Sequence, residues 1–88
     1  MTRYTYERLV ELVDGDTELI ARLVEEGEIE TRDDGHAMVD VERVQIAHVL
    51  LRELDIDWPG VEVILRLRDE LLAARRRITE LEAALANK

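Results

Sequence analysis

Residues 57–86 read DWPGVEVILRLRDELLAARRRITELEAALA, and this stretch carries the clearest structural signal in the sequence. Asp57 is a natural N-cap, because Pro59 follows in the first turn, where its missing N–H costs nothing. From there nothing breaks the helix until about Ala86. The sequence therefore predicts a helix of roughly 29 residues, about 43 Å long at 1.5 Å per residue. We assign residues 57–88 to this C-terminal helix, for domain packing and dimerisation, and residues 1–56 to a domain of their own.

Apolar residues recur along this helix at alternating spacings of three and four, which is the seam of a coiled coil. They are Ile64, Leu67, Leu71, Ala74, Ile78, Leu81 and Leu85. Other apolar residues of the first half lie off the seam, namely Val61, Val63, Leu65 and Leu72. The helix is therefore expected to pack on its own domain first and on a second copy of the chain later. The residues assigned to this homodimer are Leu71, Ala74, Ile78, Leu81 and Leu85.

Upstream, the sequence predicts two short helices joined by a tight turn, an arrangement that suggests a helix-turn-helix. Thr5 can cap the first helix, Asp16 can cap the second, and Gly27 stands where a left-handed C-terminal cap is needed. The apolar face of the first helix is predicted to be Tyr6, Leu9, Val10 and Val13. In the second helix the buried stripe is predicted to be Leu19, Ile20, Leu23 and Val24, and the outer face Glu18, Arg22, Glu25 and Glu26.

A small wing and a third helix are predicted next. Residues 29–32 and 36–39 flank the turn Asp33-Asp34-Gly35, a hairpin pattern too short for an independent sheet. Asp40 can open a third helix that ends near Leu54. Its apolar side is Val44, Ala47, Leu50, Leu51 and Leu54. The predicted fold is therefore all-α with a small β wing, a winged helix-turn-helix followed by a long coiled-coil helix.

Composition narrows the possible functions. The 88 residues are 47% hydrophobic and 38% charged, which fits one compact domain. Cysteine and serine are both absent, so disulfides, thiolate metal sites and the commonest hydroxyl nucleophile are excluded. The first thirteen residues carry charges that a secretion signal lacks, and no apolar run reaches membrane-spanning length. We therefore expect a cytoplasmic protein that is not an enzyme, has no cofactor and does not bind membranes.

The charge is uneven. Of the net charge of −9, residues 1–40 contribute −8, through twelve Asp/Glu against four Arg. Nine of these acids and only two arginines lie between Asp14 and Asp34. This acidic cluster is either a solvated face or a docking surface for a basic protein, and it repels phosphate backbones.

Other candidate sites each have a structural alternative. His36 with Asp33 and Asp34 could hold a metal, but a simple turn is favoured, because one flexible turn gives a weak site. His48 fits a half-buried packing residue better than a catalytic base.

Two further features of the long helix also have competing readings. Trp58 is interpreted as a core anchor, with contact to a partner as the alternative. The arginines at 75–77 point around most of the helix and indicate a solvated coiled-coil flank rather than a nucleic-acid site.

The order of these elements resembles the MerR-like winged-helix group. DNA-binding members typically carry Arg-Tyr-Tyr in the second helix and Gly-Tyr-Arg-Leu-Tyr in the wing, and these arginines and tyrosines touch phosphates. Here the corresponding stretches are Ala21-Arg22-Leu23 and Gly35-His36-Ala37-Met38-Val39, so alanine replaces both arginines. Since phosphate neutralisation supplies most nonspecific DNA affinity, the resemblance implies a retained fold without DNA binding.

The chain is more similar to the chaperone-modulator CbpM family. That resemblance rests chiefly on residues 51–61, LRELDIDWPGV, and above all on the segment that caps the last helix, Asp57, Trp58, Pro59 and Gly60. Looser matches are Glu18-Leu19, Gly27 and Thr31-Arg32, while Ala37 replaces an aromatic residue expected in the wing.

The CbpM resemblance implies an inhibitor that binds the J-domain of a CbpA- or DnaJ-like co-chaperone. It would block stimulation of the Hsp70 chaperone and suppress the co-chaperone's own DNA binding, which could bring it to the nucleoid. We expect the docking residues to be Glu18, Arg22, Glu25, Glu26 and Glu28. The alternatives are a MerR-type DNA-binding regulator, disfavoured by Ala21 and Ala37, and a metal- or ligand-sensing domain, which lacks a ligand set.

Overall fold

A computed structural model describes residues 2–87 of the chain. The elements are β1 (Thr2–Thr5), α1 (Tyr6–Leu12), α2 (Thr17–Glu25), β2 (Ile29–Thr31), β3 (His36–Val39), α3 (Val41–His48), a π-helical segment (Val49–Glu53) and α4 (Trp58–Ala86). The protein is thus mostly helical, with a small sheet and a long C-terminal helix. Two compact units meet at the peptide bond between Ile56 and Asp57, and we call them the N-terminal and C-terminal units.

Each α-helix begins at a residue whose side chain accepts a hydrogen bond from a backbone N–H in the first turn. The acceptors are Thr5, Asp16, Asp40 and Asp57, and the donors are the amides of Arg8, Leu19, Arg43 and Gly60. Since these amides have no partner inside the helix, each cap is worth about 0.5–2 kcal/mol. All four predicted caps are confirmed.

The C-terminus of α2 is closed by Gly27, as the sequence predicts. Its φ of 78° lies in the left-handed region that favours glycine. The amide of Gly27 donates to the Val24 carbonyl at 3.1 Å, and the amide of Glu28 donates to the Leu23 carbonyl at 2.8 Å. This paired pattern is a Schellman motif, and it turns the chain directly into β2.

The hairpin of β2 and β3 belongs to a three-stranded antiparallel sheet of order β1-β3-β2. Strand β1 pairs with β3 so that Arg3 lies opposite Met38, which faces Glu30 on the other side. The hairpin is confirmed, whereas β1 was not predicted. Because β1 pairs with the free edge of β3, the sheet has three strands, the number at which a sheet becomes independently stable.

The core of the N-terminal unit is apolar throughout, with no buried polar or charged residue in the described part of the chain. It is formed by Leu9, Val13, Leu19, Ile20, Leu23, Ile29, Ala37, Val39, Val44, Ala47 and Leu50.

Three predicted core positions were wrong: Tyr6 is 55% exposed, Val24 is 37% exposed and Leu54 is 59% exposed. Val24 lies at the edge of its stripe, and Leu54 ends its helix, so neither position is covered.

In the C-terminal unit, α4 runs over the predicted 29 residues from its cap at Asp57 to Ala86. Its buried residues are Trp58, Val61 and Leu65, all in the first half. The sequence pattern predicts that Val63 and Leu72 pack on the domain as well, but their side chains are 44% and 40% exposed. Within the described residues, no helix combines the length and apolarity needed to cross a bilayer.

Candidate functional site

The outer face of α2 is the candidate docking surface, and we call Glu18, Arg22, Glu25 and Glu26 the α2 face. All four residues are exposed. Arg22 Nε lies 3.2 Å from the Glu26 carboxylate one turn later, so this pair largely offsets its own charge. Glu18 and Glu25 stand two turns apart on the same side of the helix. The negative charge that the α2 face offers a partner therefore comes mainly from these two carboxylates.

Glu28, the fifth residue assigned to docking, has a partner inside the chain. Its two carboxylate oxygens accept from Arg43 Nε at 2.5 Å and Nη2 at 3.1 Å. The two side chains are only about one-fifth exposed, at 20% and 22%. This bidentate pair joins the segment after α2 to the first turn of α3. Glu28 is thus occupied in holding the fold, and the structure does not group it with the α2 face.

Asp16 has two tasks at the start of α2. One carboxylate oxygen accepts from the Leu19 amide as the helix cap, and the carboxylate also accepts from Arg52 Nε at 2.5 Å. Burial acts to raise the pKa of Asp16, but the hydrogen bonds from Arg52 and Leu19 and the nearby positive charge outweigh it and lower the pKa below its ordinary value. Asp16 thereby ties the first turn of α2 to the π-helical segment.

Replacing Asp16 with asparagine is expected to remove a pH-dependent part of the stability. Asparagine still caps a helix but cannot form the ion pair with Arg52. Because the folded pKa of Asp16 is depressed, the pair stabilises the fold above the ordinary carboxyl pKa and is lost as pH falls through the folded pKa. The variant should therefore be less stable at pH 7, by up to about 1 kcal/mol, and the deficit should disappear at an acid pH below the lowered pKa of Asp16.

Urea unfolding at the two pH values measures this difference. Asp14→Asn is the matched control, since Asp14 is exposed in the same turn and its φ of 54° suits asparagine. A deficit of equal size at both pH values would contradict an ionic origin.

An apolar groove opens between α1, α2 and the β2–β3 hairpin. Its volume is about 160 Å³. It is lined chiefly by Tyr6, Leu9, Ile20, Val24, Ile29 and Ala37, with Thr31, Arg32, Gly35 and His36 completing the wall. The exposure of Tyr6 and Val24, which the stripe pattern placed in the core, is explained by their position at this opening. The groove can receive an apolar side chain from a partner that contacts α2.

The turn between β2 and β3 carries a cluster of charged groups. The Asp34 carboxylate pairs with Arg3, and its Oδ1 accepts from the His36 amide at 3.0 Å. That backbone hydrogen bond is the largest cause of the lowered pKa of Asp34, which the charge of Arg3 lowers further. Over residues 2–87, no group of three or more His, Asp or Glu is placed to hold a metal ion. The cluster is therefore accounted for by turn structure and ion pairing.

Arginines of the N-terminal unit are engaged with partners in the chain. Five pair with carboxylates: Arg3 with Asp34, Arg22 with Glu26, Arg32 with Glu30, Arg43 with Glu28 and Arg52 with Asp16. The remaining one, Arg8, lies 5.7 Å from the centroid of the Tyr4 ring. Ala21 is exposed on α2, and Ala37 is buried in the groove wall. Five of the six arginines of this unit thus have their charge offset by a neighbouring carboxylate, which suits phosphate binding poorly.

The second half of α4 is the other candidate surface. Every residue from Asp69 to Asn87 is exposed. The five residues assigned to dimerisation are among them, and Leu71, Ile78, Leu81 and Leu85 are 51%, 54%, 47% and 66% exposed. Among the described residues of the chain, nothing covers this seam. Because most helical stability in proteins comes from packing an apolar face, this half of α4 lacks that stabilisation in the single chain.

Trp58 marks the start of α4. The side chain is 8% exposed, and its indole Nε1 donates to the Glu62 carboxylate at 2.6 Å, one turn later. Asp57 caps the same turn, and Pro59 occupies one of its first positions. The segment predicted as an anchor thus forms a capped helix start with a buried ring.

Comparison with known proteins gives no family. No protein-family model matches the chain, and no curated protein or solved structure is significantly similar to it.

Proposed function

We propose that the chain is a non-enzymatic chaperone modulator that binds the J-domain of a CbpA- or DnaJ-like co-chaperone and inhibits its stimulation of Hsp70. The observation that carries this proposal is an exposed acidic helix, α2, that also lines an open apolar groove, in a unit where five of the six arginines pair with carboxylates. A surface of this kind suits a partner that offers a basic helix with an apolar residue at its centre. J-domains present a basic helix to Hsp70, so occupying that helix is sufficient for inhibition.

The fold assignment supports the same function. We propose that β1 to α4 form a MerR-like winged helix-turn-helix in which the β2–β3 hairpin is the wing. In this arrangement α2 occupies the position of the helix that DNA-binding members use to contact DNA. Glu18 and Glu25 replace the positive charge needed there, so the same helix is adapted to a basic protein. The resemblance around Asp57, Trp58 and Pro59 adds the family context.

The proposed mechanism is competition without chemistry. The carboxylates of the α2 face attract and align the basic helix, and the groove receives an apolar side chain. While bound, the co-chaperone cannot engage Hsp70 or its own DNA. We place this action in the cytoplasm, with contact to the nucleoid only through the co-chaperone. The modulator is proposed to act as a homodimer joined through the second half of α4.

The decisive experiment replaces Glu18 and Glu25 together with lysine. Since these two residues supply most of the uncompensated charge of the α2 face, affinity for an isolated J-domain should fall by about 1–3 kcal/mol, or roughly 5- to 150-fold. Inhibition of J-domain-stimulated ATP hydrolysis by Hsp70 should weaken in parallel. Titration calorimetry and a steady-state ATPase assay measure the two effects.

The matched control is Glu7→Lys with Glu11→Lys. These residues are exposed on α1, and Glu7 lies in the first turn of its helix as Glu18 does. The control changes net charge equally and should keep the wild-type affinity within about threefold, since screened charges away from the contact contribute little. If both double variants lose the same affinity for the J-domain, the effect comes from net charge alone, and the α2 face is not the docking surface. Failure of the unaltered protein to bind the J-domain would reject the function.

Titration of duplex DNA at low salt tests the alternative class. We expect no binding at micromolar protein, because the described surface offers no uncompensated basic patch for counterion release. Submicromolar binding that weakens steeply with salt would favour a DNA-binding regulator instead.

A further inference from the structure

The floor of the apolar groove is made of side chains that are almost fully buried. Leu9, Ile20, Ile29 and Ala37 are between 1% and 6% exposed. They come from α1, α2, β2 and β3, so the floor belongs to the core of the N-terminal unit. None of the four side chains carries a polar atom, and a polar group seated on them would lose its hydrogen bonds to water. The floor therefore suits an apolar occupant.

Ala37 sets the depth of the groove. It lies in the central strand β3, opposite Tyr4 of β1 and Thr31 of β2, and it lines the groove. Its methyl group is the smallest side chain of the floor, so a larger side chain at this position would take up part of the open space. The volume of about 160 Å³ is close to the roughly 150 Å³ of an apolar cavity that holds one benzene molecule in another protein. The groove thus has room for one side chain the size of leucine or phenylalanine.

Tyr6 lies at the mouth of the groove. Its side chain is exposed, and within residues 2–87 its hydroxyl forms no hydrogen bond. Tyrosine is enriched among the residues that dominate binding, because its ring buries a large apolar area and its hydroxyl can pair with the partner. Val24, from the second helix, adds an exposed apolar side chain to the same mouth. The mouth therefore offers a partner both apolar contact and one hydrogen bond.

We propose that the groove selects its partner by one apolar side chain of leucine or phenylalanine size, and that Ala37 and Tyr6 determine this specificity. This inference rests on the proposed function and adds the side chain that the J-domain must present. Charge complementarity gives its surroundings: Val24 lines the groove, and Glu25 follows it about 100° around the axis of α2. The selected side chain should therefore lie three or four positions from a basic residue on the partner's helix.

Filling the groove from its floor tests the size limit. Ala37→Leu should lower the affinity of the full chain for an isolated J-domain by at least about tenfold, because the added atoms take the place of the partner's side chain. The melting temperature should stay the same or rise, since these atoms enter open space. Met38→Phe is the matched control: neighbouring residues of a strand face opposite sides of the sheet, so this variant should keep the affinity within about threefold.

Tyr6→Ala tests the mouth of the groove without touching the core. The variant changes an exposed side chain, so the fold should be retained, and affinity for the J-domain should fall about fivefold or more. Tyr6→Phe removes only the hydroxyl and should lose less. If Ala37→Leu melts below the unaltered protein, Tyr6→Ala decides the question: wild-type affinity in this variant would overturn the proposal.

A complementary change in the J-domain identifies the occupant. Its exposed apolar residues are replaced with alanine one at a time, and titration calorimetry measures each variant against the unaltered protein and against Ala37→Leu. One replacement should weaken binding to the unaltered protein by at least about tenfold and yet bind Ala37→Leu more tightly than the unaltered J-domain does, because the added leucine fills the vacated space.

The outcomes separate this inference from the proposed function. If the unaltered protein binds the J-domain but a folded Ala37→Leu variant binds it equally well, or no J-domain replacement recovers affinity, the groove does not select the partner and the function stands. If the unaltered protein does not bind the J-domain at all, both are rejected.

Discussion

Replacing Leu81 with aspartate is expected to convert the protein to a monomer. The side chain occupies a seam position that is 47% exposed in the single chain and covered in the proposed dimer. Aspartate would bring two carboxylates into one apolar layer without partners, at a cost of at least about 3 kcal/mol, or more than a hundredfold in dimer affinity. Light scattering at micromolar concentration should give twice the 10.2 kDa chain mass for the unaltered protein and the chain mass for the variant.

The same change should reduce helix content. Without a partner, the stretch from Asp69 to Ala86 has no apolar cover, and it should fray from the C-terminal end. Circular dichroism should therefore show a loss of helix that Ala83→Asp, on the opposite side of α4, does not produce beyond its small propensity cost. A wild-type monomer that is helical to Ala86, or a dimer unaffected by Leu81→Asp, would contradict the dimer.

Replacing Trp58 with alanine should cause the largest loss of stability. The change removes a buried ring that is 8% exposed together with the hydrogen bond from its Nε1 to Glu62. Truncation of a buried tryptophan costs about 3–5 kcal/mol, a large fraction of the stability of a domain this small. Urea unfolding followed by circular dichroism measures it, because the variants lack the only tryptophan.

Two further variants separate the contributions at Trp58. Phenylalanine at 58 keeps an apolar ring but loses the donor, so it should cost about 1–2 kcal/mol. Leu72→Ala truncates a leucine of α4 that is 40% exposed, and should cost less than about 1 kcal/mol of monomer stability. If Trp58→Ala costs no more than Leu72→Ala, the ring does not anchor the fold.

Features that depend on neighbours along the chain were predictable. The caps at Asp16, Asp40 and Asp57 follow from side chains that reach the backbone three residues later, and Gly27 from the left-handed turn that ends α2. The extent of α4 follows from Pro59 in its first turn and the absence of later breaks. Each of these caps and helix ends depends on residues within a few positions of it, so the local sequence pattern is enough to predict it.

Features that depend on distant partners were not predictable. Strand β1 exists because Arg3 and its neighbours pair with β3, more than thirty residues later. Thr2, Tyr4 and Thr5 favour extended structure, but a run of only four residues does not predict a strand without its partner. Glu28 appeared to be one more exposed acid until the fold brought Arg43 to it. The apolar groove was missed for the same reason: its walls come from α1, α2 and the sheet, and the stripe pattern alone placed Tyr6 and Val24 inside.

The π-helical segment Val49–Glu53 bears on which changes in chain length the protein can accept. Its closing hydrogen bond runs from the Leu54 amide to the Val49 carbonyl, a span of five residues at 3.1 Å. Such a turn holds one residue more than an α-helical turn, so deleting one residue here can be absorbed by closing an ordinary α-turn. The same deletion inside α2 would rotate everything after it by about 100° and carry the acidic residues away from the groove. The π-helical segment is therefore the place where the chain can lose one residue and keep the α2 face in position.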